Sequence, residues 1–186
     1  MADRKQEKKR KARGLRAHLN DFQRTASGEY VYTGATYALS ENTGRSRTSA
    51  LRQLWYFGGL ALALTVVQGC IPAGGMLDCA YVLLPFAAEL FSAASVIWAL
   101  VRLTANPDPI REYVYSAAAE PLPRRGGFTA AFAGLACAGE LVFALLHRGE
   151  NTAGTWILAV LMAVTGASAL LLRRSARTLH WEKCGK

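Results

Sequence analysis

Two glutamates lie inside long apolar stretches of the chain, and their carboxyl groups are the side chains best placed to do chemistry. Glu89 is the one charged residue between Cys79 and Val101, and Glu140 is the one between Gly126 and Leu146. An ionised carboxylate in an apolar environment costs several kcal/mol, so such residues usually face the interior of a helix bundle and are often functional. The pair is therefore the candidate polar site.

The depth of each glutamate predicts which residues share this site. Counted at 1.5 Å per residue from the end where the first two apolar blocks are joined, Glu89 lies about 13 Å and Glu140 about 10 Å deep. The two are therefore predicted to share a layer, with Gln68 a little above it. Ser92 and Ser95 continue the face of Glu89 at steps of three residues.

Two interpretations fit this candidate site. Two close carboxylates cannot both ionise easily, so one would bind a proton, and the pair would form a proton or cation site. Alternatively, each glutamate is protonated and hydrogen-bonds a neighbouring helix, which holds the bundle together. The second is favoured, because transporters usually carry more polar residues along the route of their substrate.

Cys70 and Cys79 flank the short sequence IPAGGMLD, which joins the first two apolar blocks. Pro72, Gly74 and Gly75 allow a sharp turn there, and a disulfide would join the ends of the two helices. The alternative is two ordinary buried thiols. The disulfide is the favoured prediction.

Four apolar blocks dominate the rest of the chain. Each contains the roughly 20 residues that a helix needs to cross a bilayer, and none carries the polar stripe of a soluble core helix. The predicted fold is therefore all-α, a four-helix transmembrane bundle within residues 51–186. The four helices are predicted at about 53–73, 79–102, 127–147 and 152–172.

The positive charges predict an orientation. Of the 22 Lys and Arg residues, 12 precede the first block, four lie between the second and third blocks, and five follow the fourth. By the positive-inside rule both termini and the middle loop are cytoplasmic. We expect the plasma membrane of a bacterium as the location.

Residues 1–50 are predicted to form a basic, largely irregular cytoplasmic arm. Its first 16 residues are rich in Lys and Arg, which favours contact with anionic lipid headgroups over nucleic acid. Residues 29–39, EYVYTGATYAL, combine strand-forming residues with a Gly turn, and a short hairpin is plausible there. A cytoplasmic tail follows the fourth helix.

Two further patterns concern helix packing. The sequence EYVY occurs at Glu29–Tyr32 and at Glu112–Tyr115, which indicates either two duplicated helical hairpins or a coincidence. Small residues recur at steps of four in the last two helices and predict a closely packed pair, or a surface for a second copy. They are Ala130, Gly134 and Ala138, and Ala159, Ala163 and Ala167.

Catalytic, metal-binding and cofactor-binding motifs are not found in the sequence. We therefore expect a non-enzymatic structural or accessory membrane protein, either a homo-oligomer or a subunit of a larger complex. The alternative is a small proton- or cation-coupled transporter or channel that uses the two glutamates.

Overall fold

Four long helices make up most of the computed structural model, which describes residues 22–24, 28–40, 44, 46–147 and 153–184. In chain order the helical elements are α1 (Arg47–Gln68), α2 (Gly74–Asp78), α3 (Ala80–Ala105), α4 (Glu112–Val114), a π-helical turn (Tyr115–Ala119), α5 (Leu122–Leu146) and α6 (Ala153–Arg177). Within the described residues, four helical segments are long and apolar enough to cross a membrane: α1, α3, the run from α4 through α5, and α6. This confirms the prediction of four such helices.

The helix ends differ from the predicted ones because polar residues also occupy terminal turns. Helix α1 begins six residues early, where the Ser46 side chain accepts a hydrogen bond from the Ser49 backbone N–H and caps the helix. Helix α5 begins at Leu122, with Pro123 in its first turn. Proline is tolerated there because the backbone N–H groups of the first turn have no hydrogen-bond partner within the helix. Helix α6 continues through the arginines up to Arg177.

The long helices form a ring in the order α1, α3, α5, α6, so each packs against two neighbours. One end of the bundle, here called the loop end, carries α2 and an apolar cluster that includes Met76, Phe86 and Met162. The opposite end, called the sheet end, contains a larger cluster around Leu54 and Leu100. The two clusters divide the apolar interior along its length.

Short strands cover the sheet end, so the fold is not purely α-helical. They are β1 (Phe22–Arg24), β2 (Tyr30–Tyr32), β3 (Thr36–Leu39), β4 (Ile110–Arg111) and β5 (Trp181–Cys184). The suggested hairpin within residues 29–39 is wrong, because β2 pairs with β1 whereas β3 lies between β4 and β5. The strands that accompany β3 come from segments that the bundle topology brings to the same end.

Contacts with the bundle hold this sheet in place. The rings of Tyr37 on β3 and Tyr115 in the π-helical turn stack with centroids 4.2 Å apart, and Trp181 on β5 meets Tyr115 edge to face. The Ser40 backbone N–H also donates to the His180 carbonyl over 2.8 Å. Residues 36–40 and 180–184 therefore pack onto the sheet end of the bundle. The basic run at residues 1–16 lies outside the described residues.

The two EYVY sequences have different structures. In the first copy Tyr30–Tyr32 form strand β2, whereas in the second copy Glu112–Val114 form α4 and Tyr115 begins the π-helical turn. The match therefore gives no structural support to a duplication.

Arg47 connects the start of α1 to the end of α3. Its guanidinium group donates to the carbonyls of Leu103 (2.8 Å) and Asn106 (2.7 Å) and lies 3.8 Å from the Asp108 carboxylate. Hydrogen bonds from a charged donor stabilise by about 1.5–3 kcal/mol.

We expect Arg47→Gln to lower the free energy of unfolding by about that amount, measured by thermal unfolding of the purified protein. The exposed Arg52, replaced by Gln, is the control, and equal stability of the two variants would contradict this role.

Candidate functional site

Glu89 lies in the interior of the bundle and contacts α1. It is fully buried, and its Oε1 lies 2.7 Å from the Thr65 hydroxyl oxygen, which also lies 2.9 Å from the Ala61 carbonyl oxygen. A hydroxyl has one proton, so it can donate to only one of these two oxygens. Both contacts are hydrogen bonds together only when Glu89 is protonated and donates to Thr65. The geometry therefore suits a neutral carboxyl group.

Gln68 connects α1 to α6 one helical turn further along. Its Nε2 donates to the Thr165 hydroxyl over 2.7 Å, and Thr165 donates in turn to the Leu161 carbonyl. Gln68 Oε1 and Glu89 Oε2 are both buried and have no hydrogen-bond partner. The two pairs thus form a central polar layer that joins α1, α3 and α6 and keeps two unpaired oxygen atoms.

Ser92 takes part in a second polar contact, between α3 and α5. Its hydroxyl lies 2.9 Å from that of Thr129, and Ser168 on α6 donates to the Phe57 carbonyl of α1 over 3.0 Å. Ser95 donates to the Ser92 carbonyl within its own helix. The face that Ser92 shares with Glu89 therefore contacts α5, and the hydroxyl groups of Ser92 and Ser95 both have hydrogen-bond partners.

Glu140 lies elsewhere in the bundle, beneath the loop end. It is fully buried, and neither of its carboxyl oxygens has a hydrogen-bond partner. Gly75 of α2 covers it so closely that a Cβ atom on Gly75 would overlap Oε2 and lie 2.9 Å from Cδ. Gly74 lies close to Phe143, where an added Cβ would be 2.8 Å from Cζ. The short helix α2 therefore acts as a lid over this carboxyl group.

The structure does not place Glu89 and Glu140 in one layer. Gly139 lies against the Tyr81 carbonyl, 3.1 Å from where its Cβ would be, and Ser92 pairs with Thr129. These contacts set Glu140 beside the first turn of α3, about 12 Å from the level of Glu89 at 1.5 Å per residue. The prediction assumed that the helices end at the same level, whereas α5 extends past the start of α3.

An apolar layer lies between the levels of the two glutamates. Met76, Phe86 and Met162 are buried together there, with Ala136 and Leu158 in the same cluster. A proton cannot cross such a layer without polar groups or water. The two carboxyl groups are therefore separate in this conformation.

In the structure the predicted disulfide partners Cys70 and Cys79 are both free thiols. Cys70 is exposed at the end of α1, where its Sγ lies 3.5 Å from the Val66 carbonyl. Cys79 packs against the apolar cluster at the start of α3. The intervening residues fold into the lid rather than into a simple turn, and this gives the two thiols different surroundings.

Other groups in the described part of the chain add little chemistry to this site. Within those residues no three His, Cys, Asp or Glu side chains lie close enough together to hold a metal ion. A small cavity of about 10 Å³ lies between the four helices, lined by Gly58, Ala93 and Thr129 among others. That volume is about the least that can hold one water molecule.

The sequence analysis did not predict that Thr65, Thr165 and Thr129 supply the hydroxyl partners of this site. The sequence carries a signal for two of them, since Thr65 and Gln68, and likewise Thr165 and Ser168, are three residues apart and share a helix face. A search for polar side chains at helical spacing, and not for charges alone, would have found them.

Comparison of the chain with protein-family models, with curated proteins and with solved structures finds no match. Its function must therefore be inferred from the geometry of the bundle.

The lid over Glu140 can be tested by adding one methyl group. We expect Gly75→Ala to lower the free energy of unfolding by about 1–3 kcal/mol, because the new Cβ overlaps the carboxyl group. Glu140→Ala in the same chain should recover most of that loss, measured by thermal unfolding as a double-mutant cycle.

Gly59→Ala is the matched control, since nothing lies within 4 Å of its added Cβ. It should leave stability unchanged or raise it, because alanine favours helix. An equal loss for both glycine variants, or no recovery with Glu140→Ala, would contradict the lid.

Proposed function

We propose that the chain is a multi-pass integral membrane protein whose four helices lie in the bilayer. The supporting observation is the distribution of side chains around the bundle. Phe91 is 76% exposed and Leu84 67% exposed, whereas Glu89 and Gln68 are fully buried. In a water-soluble bundle the apolar residues would face inward and the polar residues outward. A hydrocarbon solvent favours the observed arrangement.

Within the membrane we propose a non-enzymatic structural or accessory role. The described interior supports this role, because its polar side chains mostly pair between helices. Paired polar groups of this kind hold transmembrane helices together. The exposed faces would then contact a second copy of the chain or another membrane subunit.

The orientation and location are also proposals. Arg52, Arg102, Arg124 and Arg174 lie toward the sheet end, and the positive-inside rule puts that end in the cytoplasm. Both termini would follow it there. The plasma membrane of a bacterium is the proposed location, with the basic run at residues 1–16 against anionic headgroups.

One fractionation experiment tests both parts of this proposal. Membranes from expressing cells are washed with alkaline carbonate, extracted with mild detergent and analysed by blue-native electrophoresis. We expect the protein to stay in the washed membranes and then to migrate as an assembly larger than its 20.1 kDa chain in a detergent micelle.

The outcomes separate the two parts. Release into the carbonate supernatant would contradict membrane insertion. Retention followed by migration as a single chain, with no protein bound to it, would leave insertion in place and contradict the accessory role.

A second candidate function is the transport of protons across the membrane. The observation in its favour is the pair of buried carboxyl groups, each with at least one unpaired oxygen, on opposite sides of an apolar layer. Transport would require that layer to open, so that protons reach Glu89 and Glu140 in turn. The lid over Glu140 would then be one gate.

Proton flux in reconstituted vesicles tests this candidate. A protein that transports protons should acidify vesicles carrying a pH-sensitive dye, and Glu89→Gln should abolish the signal. Glu120→Gln removes an exposed carboxylate at the sheet end and should leave the flux unchanged. Absence of flux in the parent protein, or equal flux in both variants, would rule the candidate out.

A further inference from the structure

We propose that the outer groove between α5 and α6 binds one anionic phospholipid, with its phosphate on Arg173 at the sheet end. This inference rests on the proposed insertion into a membrane. It concerns a defined site on the helices, which is distinct from the general attraction of the basic N-terminal run to lipid. Three features of the structure support it: the surroundings of the Arg173 side chain, the charges near it, and the groove between the two helices.

The guanidinium group of Arg173 lies close to the backbone of α5 at Gly127. A Cβ atom on Gly127 would lie 3.2 Å from Arg173 Nη1 and 3.4 Å from Cζ, so glycine there makes room for the guanidinium group. The Arg173 Nε atom is buried and has no hydrogen-bond partner. A partly desolvated guanidinium group with an unpaired N–H is suited to a phosphate, whose oxygens accept from two N–H groups at once.

The surrounding charges are mostly positive. Arg177 is exposed one turn after Arg173, and the close contact at Gly127 brings the exposed Arg124 of α5 near the same place. Glu120, one turn before Arg124, offsets one of these three charges. Arg125 does not contribute, because its guanidinium group donates to the carbonyls of Ser95 and Ala117. The net charge beside Arg173 therefore favours an anion.

A shallow groove runs from these arginines along the helices. Gly134 is exposed with nothing within 4 Å of its added Cβ, and Ala163 is exposed on the facing side of α6. A Cβ on Gly166 would lie 3.7 Å from that of Ala133, so the two backbones come close behind the groove. Part of each predicted small-residue stripe thus faces outward. An acyl chain is the occupant expected beside a phosphate in a bilayer.

Lipid titration of the detergent-purified full chain, followed by native mass spectrometry, tests this site. The probes are phosphatidylglycerol, phosphatidylcholine and inorganic phosphate. We expect one phosphatidylglycerol to bind at least tenfold more tightly than phosphatidylcholine. Arg173→Gln should weaken that binding about fivefold, the effect of one basic residue near anionic lipid. Arg52→Gln removes an exposed arginine on α1 and should change it by less than twofold.

The groove has its own pair of variants. Gly134→Leu should fill the groove and weaken both phospholipids, whereas Gly59→Leu adds the same side chain to an open position on α1 and should weaken neither. Equal loss in Arg173→Gln and Arg52→Gln, or equal affinity for the two phospholipids, would overturn the site. Displacement of the lipid by millimolar inorganic phosphate would also overturn it, in favour of a free-phosphate site. The carbonate wash tests insertion separately, so failure of either idea is recognisable.

Discussion

A polar side chain taken away from water must find a hydrogen-bond partner, and this constraint organises the interior of the bundle. Burying an unpaired polar group costs a few kcal/mol. Thr65 and Glu89, Gln68 and Thr165, and Ser92 and Thr129 each form a hydrogen bond between helices, and Gln68 Oε1 and Glu89 Oε2 stay unpaired. Because the same pairs connect neighbouring members of the ring, satisfying the polar groups also fixes how the helices pack. Apolar side chains are left to cover the outside.

Glu140 departs from this pattern, because it lies beneath the lid and apart from the central polar layer. Its carboxyl group has no partner, but Gly75 closes over it and Phe143 packs beside the same loop. The carboxyl group therefore depends on the lid, and not on a partner, to stay out of water. An apolar layer then isolates it from the central polar layer. A structural protein and a gated transporter would both use such an arrangement, and they differ in whether the lid opens.

The sequence was sufficient for the four helices because each apolar block is long and almost uncharged. Depth within the bundle was not predictable, since it depends on how far α5 extends past α3, and that offset is set by contacts such as Gly139 with Tyr81. The strand pairing of β3 could not be predicted either, because its partners β4 and β5 are distant in sequence. The short helix that forms the lid was also not predicted, because Gly74 and Gly75 gave only a turn signal.

The central claim is that lipid surrounds the outward apolar side chains, and a spin label at Phe91 tests it most directly. Phe91 is 76% exposed in the middle of α3. Phe91→Cys, made in a chain whose own four cysteines are replaced and then reconstituted in vesicles, should give a label that collides often with oxygen and rarely with a water-soluble nickel complex. A label at Glu120→Cys, at the sheet end, should show the reverse. If the nickel complex reached both labels equally, the outer surface of the bundle would be in water and the account would be wrong.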